Sequence, residues 1–210
     1  MGRWRTLGGE LSALGTLALS LPLGRLLPRE RLDPAAPHPT PVVLVHGFLG
    51  DPSNFLVLRS FLSSYGVRSF ASFSYPPRLD HQRLAPRLGQ MIARVCRETG
   101  SPRVDVVGHS LGGLVARYLV ELGDGSRIGR LVTLGSPYYS DRRPSRELAI
   151  LGAHDPLVPA PAVPRGRVVV IEDCGHWNLL YHPAVLGAVA RFIARSAEDL
   201  PGASAARAAA

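Results

Sequence analysis

The sequence contains no lysine, and its 24 basic residues, all arginine, are scattered from Arg3 to Arg207. Against 16 acidic residues they leave a formal charge of +8, but they form no stripe and do not alternate with aromatics. A nucleic-acid interface needs such a patch, so no nucleic-acid partner is expected. Cysteine is scarce as well. Cys96 and Cys174 stand in no C-x-x-C or Cys/His spacing, and Cys96 falls in a helical pattern, so two free thiols are expected in place of a disulfide framework. Metal signatures are missing: there is no H-E-x-x-H, the seven histidines are dispersed, and neither a metal nor a cofactor is expected.

A clean apolar run of spanning length is also lacking. Leu7 to Leu27 is mostly apolar but is interrupted by Glu10, Gly15, Pro22, Gly24 and Arg25. Residues 1–27 therefore keep three readings: a membrane anchor, an export signal with a weak cleavage site at Ala18-Leu19-Ser20, or a helix docked on the domain itself. The first two place the protein at a membrane or outside the cell; the third is compatible with the cytoplasm. Arg142, Arg143 and Arg146 form the one local basic cluster, read as a solvated loop or a contact for anionic head groups.

What is present is an ordinary globular composition, with 46% hydrophobic residues in a chain of 210. That suffices for one core, so a single domain is expected. Residues 28–40 carry Pro28, Pro34, Pro37 and Pro39 and read as a linker, since proline forbids regular helix and central strand. The domain is expected over residues 41–197 and a disordered Ala/Gly/Ser tail over 198–210. Val42-Val43-Leu44-Val45 is a continuous apolar run, as in a strand covered on both faces. Asn54 to Tyr65 and His81 to Glu98 have helical apolar spacing, each closed by a glycine, and Val67 to Phe73 alternates like a strand between them. Strands are expected again near 104–107, 128–134, 147–151 and 167–171, and a closing helix at 183–196. Alternating strands and helices imply a mainly parallel sheet of about six strands with helices on both faces.

The most informative stretch is Val104 to Val115, a buried strand, a sharp turn at Gly108-His109-Ser110-Leu111-Gly112, and the opening of a helix. A serine hydroxyl is a weak nucleophile; a tight strand-to-helix turn lifts it out of the sheet, where a base can reach it. The Leu111 N–H then lies at a helix N-terminus that favours negative charge. His46-Gly47-Phe48-Leu49-Gly50, after the first apolar strand, offers the Phe48 N–H as a second donor to an oxyanion. His46 is expected to orient that loop, and His109 to pack beside the serine without titrating.

Together with Val132-Thr133-Leu134-Gly135-Ser136-Pro137, Gly152-Ala153-His154-Asp155-Pro156-Leu157-Val158-Pro159 and Cys174-Gly175-His176-Trp177, these stretches resemble the α/β-hydrolase fold, and within it small bacterial lipases and esterases that lack a lid. The resemblance implies a triad in the order Ser110, Asp155, His176. Rival acids are Asp141, Glu172 and Asp173, and rival bases are His154 and His182. The oxyanion hole would be Phe48 and Leu111. Phe48, Leu49, Phe55, Tyr75, Tyr138, Leu157 and Trp177 are candidate walls for an apolar acyl group, although the aromatics serve equally well as core. The implied activity is cleavage of a small-molecule ester or lipid, with a membrane surface as a further partner. A thioesterase or amidase, and a hydrolase-fold binding module without turnover, are the alternatives. The sequence sets no oligomeric state.

Overall fold

In the computed structural model, residues 2–24, 30–77, 80–138, 144–161 and 166–194 are described. The strands are β1 (Glu30–Arg31), β2 (Val42–Val45), β3 (Phe70–Phe73), β4 (Val104–His109), β5 (Ile128–Leu134), β6 (Glu147–Gly152) and β7 (Val168–Ile171). The helices are α1 (Gly2–Gly24), α2 (Leu56–Ser64), α3 (His81–Thr99), α4 (Leu111–Glu121) and α5 (Pro183–Ile193). The sheet order is β1-β3-β2-β4-β5-β6-β7. Every neighbour is parallel except β1, which pairs antiparallel with β3 through Glu30↔Ala71 and Arg31↔Phe70.

Physical patterning explains the layers. All four residues of β2 and all six of β4 are buried, because helices cover both faces of the sheet at its centre. One face packs Val42, Leu44, Val107 and Val132 against Leu58 and Leu62 of α2 and Val185 and Val189 of α5. The other packs Val43, Val45, Val106 and Leu131 against Leu88 and Ile92 of α3 and Val115 and Leu119 of α4. At the sheet edge β7 is only half-buried along its length. Asp80 caps the start of α3 by accepting the Arg83 N–H at 3.0 Å, and Gly100, at φ 69°, closes its end.

The chain runs from β2 to β3 on one side and then returns to place β4 on the other side of β2. Such a reversal opens a crevice at the carboxyl ends of the two central strands, where open α/β sheets hold ligands. The loop after β2 and the serine turn after β4 are therefore neighbours by topology.

Two expectations change. The sheet has seven strands, because β1 lies inside the segment 28–40 read as a linker; two residues at an edge carry no detectable period. The strand expected from Val67 begins at Phe70, and Phe70 to Phe73 are all buried, so they do not alternate. Residues 2–24 form a helix packed over the sheet's carboxyl end, against the 3₁₀ turns Pro52–Phe55 and Asn178–Leu180. Thr6 and Ala13 are buried on that side, and Leu17 joins the core of the α2/α5 face. Among the described residues no helix is long and apolar enough to cross a membrane. Cys96 and Cys174 are both free and buried. The tail 198–210, Asp141, Arg142 and Arg143 lie outside the described residues.

Candidate active site

Ser110 sits between β4 and α4 at φ 52° and ψ −121°, and among the described residues only Leu49, at φ 58°, is another non-glycine with positive φ. Both belong to loops at the crevice, and backbone strain of this kind is maintained when the surroundings over-determine it. The surroundings here are two glycine contacts. A Cβ on Gly108 would fall 2.5 Å from the Gly113 nitrogen, and one on Gly112 would fall 2.1 Å from the Val45 carbonyl oxygen. Any side chain at either position would therefore push strand and helix apart. The Ser110 N–H donates to the Leu134 carbonyl at 2.8 Å, tying the turn to β5.

The loop after β2 lies directly against this turn. A Cβ on Gly47 would stand 3.1 Å from Ser110 Cβ. His46 is buried, with Nδ1 2.8 Å from the Gly47 carbonyl and its ring stacked on Tyr75 at 4.3 Å, and burial holds its pKa below the usual histidine value. The Tyr75 hydroxyl in turn donates to the His46 carbonyl. Asp51 accepts from the Ser53 N–H at 2.7 Å and forms a capping box with Asn54, which braces the far end of the loop. Phe48 and Leu111 are thus held at the crevice, and the Leu111 N–H, in the first turn of α4, has no acceptor within its own helix.

Asp155 and His176 come from the ends of β6 and β7. The His176 Nδ1–H donates to Asp155 Oδ2 at 2.7 Å. Asp155 Oδ1 accepts the N–H groups of Leu157 and Val158, each at 2.8 Å, so its carboxylate is fixed on both oxygens. With Nδ1 carrying the proton, Nε2 of His176 is the nitrogen left to accept one. Ser110 and His176 line the same cleft, of about 260 Å³. Among the described residues no hydrogen bond joins the Ser110 hydroxyl to the imidazole; such contacts are often loose until substrate arrives.

His109 is buried with its ring 4.8 Å from that of His176, and its Nε2–H donates to the His176 carbonyl at 3.1 Å. Burial, reinforced by the neighbouring His176, pushes its pKa down to about 3, so it stays neutral at ordinary pH. Beneath the site, buried Arg117 of α4 pairs with Glu147 of β6 at 2.7 Å and donates to the carbonyls of Ser136 and Pro137, both at 2.7 Å. Its guanidinium also lies over the Tyr138 ring at 3.6 Å. That network holds the loop after β5.

The cleft is lined by Phe48, Leu49, Leu157 and Trp177 among the walls expected from sequence. Phe55, Tyr75 and Tyr138 do not line it. Phe55 is a core residue at 1% exposure, Tyr75 braces His46, and Tyr138 lies on Arg117. Of the rivals, His154 and Glu172 are exposed, and His182 caps α5 by accepting the Ala184 N–H at 3.3 Å. Sequence reasoning missed Leu17 and Asn54 as lining residues. It also missed the placement of Gly135, where a Cβ would fall 3.1 Å from Asp155 Oδ2 and 3.2 Å from His176 Nδ1. Its position directly after β5 was the only available signal.

Comparison with known proteins adds the following. Residues 41–143 match the family described as palmitoyl protein thioesterase. A triacylglycerol lipase from Pseudarthrobacter phenanthrenivorans is 30% identical over 111 residues, covering 47% of this chain and 33% of the lipase. The match thus spans about a third of that relative's length. Among solved structures, a bacterial membrane phospholipase A superposes with a TM-score of 0.60 at 15% identity, over 78% of this chain and 80% of that one. An α/β hydrolase enzyme from the metagenome of lagoon sediments at Mar Chica, Morocco, gives 0.58 at 18% identity, over 77% and 91% of the two chains. At such identities the structural likeness speaks to fold and not to reaction.

Proposed function

We propose that this chain, a lipase- and esterase-like protein of the α/β-hydrolase fold, is a serine hydrolase that cleaves carboxylic esters with apolar acyl groups. The observation that carries this reading is the 2.7 Å bond between His176 and Asp155 at the cleft lined by Ser110, whose backbone holds a strained positive φ. Ser110 Oγ attacks the acyl carbonyl while His176 Nε2 takes its proton, and Asp155 holds the imidazole and balances its charge. The N–H groups of Phe48 and Leu111 receive the oxyanion, each worth about 3 kcal/mol in the transition state. Collapse breaks the C–O bond to the leaving alcohol, which takes the proton from His176. Water then attacks the acyl-enzyme, His176 again acting as base, and the acid departs with Ser110 restored.

The cleft volume of about 260 Å³ lies just under the ~300–1,000 Å³ usual for small-molecule sites, and its lining of Leu17, Phe48, Leu49, Leu157 and Trp177 is apolar. Both features support a short acyl group. Phe48, Leu49 and Leu157 are exposed at the mouth, and Leu7, Leu11 and Leu14 are exposed on α1. These side chains support a lipid–water surface as the place where substrate is met. A thioester substrate is the second reading, favoured by the family match over residues 41–143.

Turnover of p-nitrophenyl esters of graded chain length is the test, with acyl-CoA thioesters in parallel and Ser110→Ala as control. The expected result is a maximum at short acyl chains and a loss of at least about 10³-fold in kcat for the variant. Equal turnover by wild type and variant, or no labelling of folded wild type by a fluorophosphonate, rules the reading out.

A further inference from the structure

The peptide unit that joins His176 to Trp177 is held at both ends by side chains from distant parts of the chain. Its carbonyl accepts the Nε2–H of His109 at 3.1 Å, and its N–H donates to Glu10 Oε2 at 3.2 Å. The other oxygen of Glu10 accepts the Asn178 N–H at 2.9 Å. Trp177 and Asn178 open the 3₁₀ turn Asn178–Leu180, which has no side-chain cap of its own, so a carboxylate from α1 fills that place.

Two glycines make this approach possible. A Cβ on Gly175 would fall 2.6 Å from Glu10 Cδ, and a Cβ on Gly9 would fall 2.6 Å from Asn178 Nδ2. The helix and the loop thus interlock one glycine from each side, with the carboxylate between them. The charge of Glu10 is felt nearby: burial pushes the Cys174 thiol up to about 12, and Glu10 and Asp155 add to the shift. His109 stays neutral under working conditions, so its Nε2–H remains a single, directed donor.

We infer that Glu10 and His109 are positioning residues that clamp the His176–Trp177 peptide and so hold the imidazole in register with Ser110 and Asp155. The inference rests on the reading of His176 as the general base. It makes α1 a working part of the catalytic unit, because the loop that carries the base has its N–H groups satisfied by that helix. A misplacement of about 1 Å in a catalytic group costs on the order of 10²-fold in rate, and that is the scale a released loop would reach.

The test uses the full chain and p-nitrophenyl butyrate, with each variant assayed well below its own melting temperature. Glu10→Ala is expected to lower kcat about 10- to 100-fold with a much smaller change in KM, since Glu10 does not itself line the cleft. Glu10→Gln keeps one acceptor oxygen and is expected to recover a substantial part of the loss. His109→Phe keeps the ring's bulk without the donor and is expected to lower kcat in the same way. The double variant Glu10→Ala with His109→Phe is expected to lose much less than the product of the single losses, because both residues act on one peptide unit. If Glu10→Ala does not fold, a severalfold fall in kcat for Glu10→Gln carries the same point. A kcat for Glu10→Ala, or for Glu10→Gln where only that variant folds, within twofold of wild type overturns the clamp, as do single losses that multiply in the double variant. A wild-type chain that turns over no ester and takes no fluorophosphonate overturns the hydrolase reading and this inference with it; active wild type with silent variants overturns this inference alone.

Discussion

Gly135 shows how much a single position contributes at this site. It follows β5 at φ 53°, a region open to glycine and costly for other residues, and it faces the Asp155–His176 pair at about one carbon's distance. Gly135→Ala adds both backbone strain and a methyl group within 3.2 Å of His176 Nδ1. The expected result is a kcat lowered about 10- to 100-fold, through displacement of Asp155 or His176, with a loss of about 1–2 kcal/mol in stability. Steady-state kinetics beside urea denaturation checks it, and unchanged kcat would show that the pair is not what Gly135 accommodates. Among the histidines, similar sequence contexts hide different environments. His109 and His176 both follow a glycine, yet His109 is a desolvated donor to a carbonyl while His176 carries the carboxylate contact.

At the scale of elements, α1 is the part whose placement the sequence left open among three alternatives. Its docked side is made of Thr6, Gly9, Glu10, Ala13 and Leu17, which recur at helical spacing but are mostly small or polar. Its neighbouring stripe of Leu7, Leu11 and Leu14 is exposed at 54%, 70% and 42%. A helix that gives its polar side to the protein and its leucines to the outside inverts the usual pattern of a surface helix. Replacing these three leucines with serine is therefore expected to leave turnover of a soluble short-chain ester within about twofold of wild type. Co-sedimentation with phosphatidylcholine vesicles should fall several-fold. Wild type that stays in the supernatant at all lipid concentrations would rule out the lipid-surface reading. Periodicity alone located this helix poorly because its glycines, its acid and its leucines do not sort into one apolar face and one polar face. By contrast α3, with arginines opposite its apolar stripe, was legible from spacing.

For the whole molecule, two buried groups set opposed responses to pH. His109 has its pKa lowered from 6.5 to about 3 by burial, with the imidazole of His176 and that of His46 adding and Asp155 opposing. A depressed value in the folded state contributes stability that is present above about 6.5 and is lost as pH falls toward about 3. Asp105 has its pKa raised from 3.8 to about 6, chiefly by burial, with Arg130 and His38 opposing. Its contribution runs the other way: it is complete below about 3.8 and disappears as pH rises through about 6. Denaturant midpoints measured from pH 3 to 8 should therefore fall less steeply on the acid side for His109→Gln than for wild type. Asp105→Asn should fall more steeply between about 4 and 6, having lost the opposing response. Parallel curves for all three proteins would refute both assignments. What the sequence determined by itself was the alternation of strand and helix and the serine turn, because these follow from local periodicity and from residues only a few positions apart, whereas Asp155 and His176 were singled out by the resemblance to the α/β-hydrolase fold. Tertiary structure alone decided that Leu17 and Asn54 reach the cleft, that Phe55, Tyr75 and Tyr138 do not, and that Glu10 meets Trp177 and Asn178. Those outcomes depend on where crossovers deliver separate elements, and no short-range pattern encodes the distance between residues 10 and 177.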